Sequence, residues 1–138
     1  MKKHIVVVFS SHLDDETDNK FIKHINDTIG VSHSVSRYVN KNEFSLTNIY
    51  NKALLPPYND TIFVMCHNDI LFKTKNWGRI LLTKFNNTNY DIIGVAGSTY
   101  IPKTGMWWED RSKMVGIVEH TDGISTWVSE YSKESRGK

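Results

Sequence analysis

The run His4-Ile5-Val6-Val7-Val8-Phe9 constrains this chain more than any other segment. It is continuously apolar after His4 and mostly β-branched, with none of the polar alternation of a strand that faces water on one side. Such a strand needs both faces covered, which is the situation in a parallel sheet flanked by helices. Thr61-Ile62-Phe63-Val64-Met65-Cys66 repeats the pattern. Between them, Asp14, Asp15 and Glu16 open a segment whose apolar residues Phe21, Ile22, Ile25 and Ile29 recur at helical spacing, and Gly30 supplies a stop. A short strand follows around Ser34 to Val39, then a helix with Ser45 as N-cap and Leu46, Ile49, Tyr50 and Ala53 on its apolar positions, ended by Pro56-Pro57. A third helix from about Asn76 places Trp77, Ile80, Leu81 and Phe85 on one face and leads to a fourth strand over Tyr90 to Val95. Beyond it lie a strand at Met114 to His120 and a polar end from Ser129 that is expected to fray. Strands alternating with helices define an α/β sheet with right-handed crossovers.

Length and charge narrow the function classes. A chain of 138 residues suits one domain. With 23% charged residues and a net charge of +2, it is too balanced for a disordered chain and lacks the clustered basic patch of a nucleic-acid binder. No apolar run reaches the roughly 18 residues of a membrane span. The single cysteine, Cys66, excludes a disulfide framework and a thiolate zinc cluster, and ends an apolar strand as a buried structural thiol. Ile5 to Phe9 is too short for a signal peptide, so the expected compartment is the cytoplasm.

Ligands of open α/β sheets bind outside the carboxyl ends of the strands. That directs attention to Ser10, Ser11 and His12, to Asn40, and to His67, Asn68 and Asp69. A carboxylate just past an apolar strand suits a hard cation, since Mg²⁺ or Mn²⁺ takes one or two protein carboxylates and fills its shell with water and phosphate oxygens. If the chain stays extended, His67 points to the same side as Asp69. The plainer reading makes Asp69 a turn cap and His67 a hydrogen-bonded strand-end residue, and spacing alone favours it. Ser10 and Ser11 read first as turn or cap residues, because neither Gly-x-Gly-x-x-Gly nor a Gly-Lys-Ser phosphate loop is present. Trp107-Trp108, on a segment read as extended, point to opposite faces, so that one packs and the other can meet a sugar ring; plain packing is the simpler account. No Gly-x-Ser-x-Gly elbow supports a hydrolase.

Five strings in register carry a family resemblance: Ile5 to Ser11, Ser45 to Asn51, Ile62 to Leu71, Ile93 to Ser98, and Gly105 to Trp108. Together they resemble the glycosyltransferase-like family related to family-2 enzymes. The resemblance implies a three-layer, Rossmann-like GT-A sheet, mostly parallel and truncated on its C-terminal side. It implies one domain, with residues 1–97 as the nucleotide-sugar half, 98–128 as an acceptor-side segment and 129–138 as a tail. It further implies a UDP- or GDP-sugar donor and a divalent metal, Mn²⁺ or Mg²⁺, on the diphosphate. His67-Asn68-Asp69 stands in place of an Asp-x-Asp-type motif, with Asp69 as metal ligand and His67 in the position of the first acid. Ser10, Ser11 and Asn40 would lie near the nucleoside, Asn51 near the donor, and Trp107 and Trp108 toward the sugar or acceptor.

Two departures accompany it. Asn68 stands where this family often has Asp, and the chain stops where members continue into a half that supplies a catalytic base. Glu109, Asp110 and Asp122 match nothing specific, so no base is assigned. Two other readings stand beside the transferase: a non-catalytic nucleotide-sugar-binding module, and an oligomeric structural protein that associates through an exposed sheet edge.

Overall fold

The computed structural model describes residues 1–2, 4–12, 15–54 and 60–131. They belong to two compact units, Met1–Tyr90 and Asp91–Lys138.

The first unit is built around β1 (His4–Ser11), which pairs in parallel with β2 (His33–Val39) on one side and β3 (Thr61–Cys66) on the other. The order β2-β1-β3 puts the continuous apolar run at the centre, where Ile5, Val7, Val8 and Phe9 have no exposure. Register sorts the faces. Ile5, Val7 and Phe9 align with Ile62, Val64 and Cys66, and this face receives Phe21 and Ile25 of α1 (Asp15–Thr28), Ile29 just beyond it, and Trp77 of α3 (Trp77–Asn87). Val8 alternates to the other face. There α2 (Leu46–Ala53) packs on β1 and buries Ile49. The chain passes from β1 outward to β2 and then back across β1 to β3, so right-handed crossovers put α1 and α2 on opposite faces.

Local signals account for the ends of these elements. Ser45 Oγ accepts the Asn48 N–H at 3.3 Å and caps α2, and Gly30 takes the left-handed conformation (φ +70°) that ends the α1 turn. Asp14 and Pro56-Pro57 lie outside the described residues. On α3 the core-facing residues are Trp77, Leu81, Leu82 and Phe85, which turns Ile80 outward at 47% exposure; the expected face is rotated toward Leu82. The segment between β3 and α3 runs along α1 and is fastened to it three times. Asn68 Nδ2 donates to Asp18 Oδ1 at 2.8 Å, the Phe72 N–H to His24 Nε2 at 2.8 Å, and the Asn76 N–H to the Thr28 carbonyl at 2.7 Å. Phe72 also stacks on Trp77 with ring centroids 4.2 Å apart.

The fourth parallel strand is not formed. Residues 92–94 are irregular, and Ile92 and Val95 are almost fully exposed. Asp91 before the run and Gly94 within it leave only two consecutive β-branched residues, too few to sustain a buried strand. The second unit is instead an antiparallel sheet, β4 (Ala96–Ser98), β5 (Met114–Thr121) and β6 (Thr126–Glu130), in the order β4-β5-β6. Ser129 and Glu130 are therefore strand residues rather than a frayed end, and residues 132–138 lie outside the described residues.

The junction of α1 and α3 depends on a missing side chain. A Cβ on Gly78 would lie 2.6 Å from Ile29 Cγ1 and 2.8 Å from the Ile29 carbonyl oxygen, the same oxygen that accepts the Gly78 N–H at 3.0 Å. Gly78→Ala improves helix propensity, yet overpacking should dominate and lower stability by about 1–3 kcal/mol. A thermal melt reads this as a reduced Tm; an unchanged or raised Tm would contradict the packing.

Candidate functional site

Strand alternation decides what meets at the carboxyl edge of the sheet. Ser11 continues the face of Ile5, Val7 and Phe9, and Phe9 aligns with Arg37 on β2 and Cys66 on β3. Ser11 and Arg37 thus face α1; Asn68, in the turn after β3, also points there, its amide reaching Asp18. On α1, Asp18 lies three residues before Phe21 and seven before Ile25, on the same helical stripe. It is fully buried.

A buried carboxylate is tolerated only when it is paired and hydrogen-bonded. Asp18 meets that requirement from three directions. Ser11 Oγ donates to Oδ2, Asn68 Nδ2 donates to Oδ1 at 2.8 Å, and Arg37 Nε lies 2.7 Å from Oδ2 as a charge contact without an aligned N–H. Arg37 Nη2 reaches the exposed Asp15 Oδ1 at 2.6 Å. The guanidinium is held above its ordinary pKa, first by the hydrogen bond to Asp15, with the charge of Asp18 adding to it.

The residues expected from the sequence fall around this cluster unevenly. Ser11 and Asn68 are joined through Asp18. Ser10, half-buried in β1, alternates to the opposite face, so the two serines are strand residues rather than a turn or cap. Asn40 is buried beside Ser11, whose carbonyl accepts the Asn40 N–H at 2.8 Å. Its amide clamps its own loop, with Oδ1 accepting the Glu43 and Phe44 N–H groups and Nδ2 donating to the Phe44 carbonyl. Asn51 is exposed on the last turn of α2. His67 and Asp69 are both exposed, but Asn68 and Asp69 form a turn, so the extended geometry expected to aim the two side chains alike stops at Cys66.

Sequence reading missed Asp18 and Arg37. Each left a signal: a carboxylate on the apolar stripe of a helix, and an arginine two residues after Val35 on the core-facing side of a strand. A surface groove lined by Lys75, Asn76, Arg79, Ile80, Thr83 and Lys84 belongs to α3, whose N-cap meets the far end of α1, and is not part of this edge.

Within the second unit, Trp107 and Trp108 sit in a turn rather than an extended segment, with their rings edge to face at 5.9 Å. Trp107 packs edge to face on Tyr131, while Trp108 is 55% exposed. The three nearby acids have structural partners. Glu109 accepts from Thr104 Oγ1, Asp110 caps the 3-10 turn Arg111–Lys113 through Ser112, and Asp122 Oδ1 accepts the Ile124 and Ser125 N–H groups. The backbone donors, Ser125 first, hold the Asp122 carboxyl below its ordinary pKa.

Among the described residues, no three His, Cys, Asp or Glu side chains converge as a metal cage. Nor does any hydrogen bond or ion pair among them engage His67 or Asp69. One open carboxylate with a neighbouring imidazole is a donor set that suits Mg²⁺ or Mn²⁺ carried in on phosphates, which needs few protein ligands.

Residues 5–138 match the glycosyltransferase-like family, and the chain belongs to that family. The resemblance read from its five strings is borne out. No curated protein and no solved structure matches it. No helix among the described residues is long and apolar enough to cross a membrane.

Cys66, at the end of β3, is buried, and burial pushes its thiol up to about 12. Its raised value means the protonated form is favoured by folding. That stability is complete below the unfolded value of 9.0 and is lost as pH rises from there through about 12. Cys66 should therefore react with iodoacetamide at pH 8 only after denaturation, and Cys66→Ser should reduce the alkaline loss of stability. Rapid alkylation of the native protein would refute the assignment.

Proposed function

We propose that this chain is a glycosyltransferase-type domain of GT-A character that binds a nucleotide-sugar donor at the carboxyl edge of β1, β2 and β3 and transfers the sugar to an acceptor. The family match over residues 5–138 carries this reading. The sheet supports it, because Ser10 and Ser11 close β1 while Asn40 and His67 to Asp69 stand just past β2 and β3, at the edge where such sheets bind ligands. Asp69, with His67 beside it, would hold Mn²⁺ or Mg²⁺ on the donor diphosphate, and the ion when bound neutralises charge on the leaving group. Ser10, Asn40 and Asn51 border the nucleoside and donor, while Ser11 and Asn68, committed to Asp18, support the edge from beneath. Trp107 and Trp108 serve the sugar or acceptor, the exposed ring of Trp108 offering a stacking face.

A second reading, a nucleotide-sugar-binding module without turnover, is favoured by one observation. Glu109, Asp110 and Asp122 are each engaged in local structure, which leaves the reaction without an assigned base.

Calorimetric titration with UDP, GDP and CDP, each with Mn²⁺ and with EDTA, separates the possibilities. One nucleotide should bind only with metal, and Asp69→Ala should weaken it by about a hundredfold or more, the loss of a charged ligand, with Tm unchanged. Equal binding in EDTA, or by the Asp69→Ala protein, would sink the metal role; no binding of any nucleotide would sink the donor site. Release of free sugar from the matching donor then distinguishes the transferase from the module.

A further inference from the structure

We propose that Asp18 is a positioning residue of the donor site: through Asn68 it holds the turn that carries His67 and Asp69 against the end of β1. This rests on the donor-site reading above. β3 ends at Cys66, and from there the chain leaves the sheet. Two residues later the Asn68 side chain turns inward and donates Nδ2 to Asp18 Oδ1 at 2.8 Å, while the residues on either side, His67 and Asp69, stay exposed. Among the described residues this is the side-chain hydrogen bond that fastens residues 67–71; the next attachment is the Phe72 N–H to His24.

The anchor itself is buried and held by its own partners. Asp18 has no exposed surface, and its other oxygen is occupied by Ser11 Oγ from β1 and faced by Arg37 Nε from β2. One carboxylate therefore references the turn to two strands at once. The chemistry also explains the residue at position 68. A carboxylate only accepts, so its partner must donate, and an amide does so without charge. A carboxylate at position 68 would set two like charges at hydrogen-bond distance in a buried place. Asn68 is thus the complement of Asp18, and its commitment inward would leave metal binding to Asp69 and His67.

Exchanging donor and acceptor tests this. In Asn68→Asp two carboxylates meet; in Asp18→Asn a charged acceptor becomes a neutral amide, and a bond to position 68 survives only as a neutral one, with one of the two amides turned over. In the double variant the amide now at position 18 again offers oxygen to Ser11 and Arg37, and turns its NH₂ toward the carboxylate now at position 68. Ile25→Val, a core change away from the turn, controls for general destabilisation. Amide exchange at residues 67–70, which needs no ligand, should quicken by about tenfold or more in Asn68→Asp, the scale of losing a hydrogen bond to a charged group, by less in Asp18→Asn, and return to near the original rate in the double. Affinity for Mn²⁺ with whichever of UDP, GDP or CDP the original protein binds should follow the same pattern, with Ile25→Val leaving both readouts unmoved. Unchanged exchange in the single variants, no recovery in the double, or fast exchange with unaltered nucleotide affinity would each overturn the positioning role. If the original protein binds none of the three nucleotides, the donor-site reading fails, and with it the positioning of a donor site, while the exchange data still report separately whether Asp18 holds the turn.

Discussion

Strand β1 is covered on both faces at its centre. Ile5, Val7 and Phe9 point to one side and Val8 to the other, all without exposure, and a strand of that kind is stable only between two layers. The rest of the first unit follows from satisfying it. α1 and α3 cover one face, α2 the other, and two further parallel strands satisfy its hydrogen-bonding edges. Because the three strands are parallel, their carboxyl ends gather on one edge, where open sheets of this kind take their ligands.

The same alternation that buries the core carries polar groups in with it. Ser11 and Arg37 inherit the α1-facing side from the apolar residues before them, and Asp18 occupies the first position of the helical stripe that continues with Phe21 and Ile25. Asp18 finds there a hydrogen bond and an opposite charge, which is the condition for keeping a carboxylate out of water. The cluster joins hydrophobic packing to the candidate site, since Asn68 draws the turn after β3 onto it. Tyr50 works at the same strand end from α2, its hydroxyl donating to the Cys66 carbonyl at 3.2 Å. The end of β3 is therefore tied to helices on both sides, while the side chains of His67 and Asp69 remain open.

The chain's membership of the glycosyltransferase-like family is what makes that open edge a candidate donor site. On the proposed reading, its exposed carboxylate and the imidazole two residues before it would supply the few protein ligands that a metal-bridged diphosphate needs. The second unit is organised differently. Its acids cap turns, and its tryptophans divide between packing, in Trp107, and a partly exposed ring, in Trp108.

By itself the sequence determined the elements of the first unit and their type. Uninterrupted β-branched runs, helical stripes, Ser45 and Gly30 act through local sterics and hydrogen bonds that depend little on distant residues. It also marked Ser10, Ser11, Asn40 and His67 to Asp69 as strand-end residues, and the ordered strings marked the family. Tertiary structure decided the rest. Whether Tyr90 to Val95 would be a strand depended on pairing and burial that the run did not obtain. The extended reading of His67 and Asp69 failed because the chain turns at Asn68 and Asp69, where the Asn68 amide meets a carboxylate fifty positions earlier in the chain. Asp18 and Arg37 look like surface charges when read singly, and only register and helix packing bring them together. A hydrogen bond between distant residues has no local pattern; it exists because folding removes water from both partners and leaves each the other's best replacement.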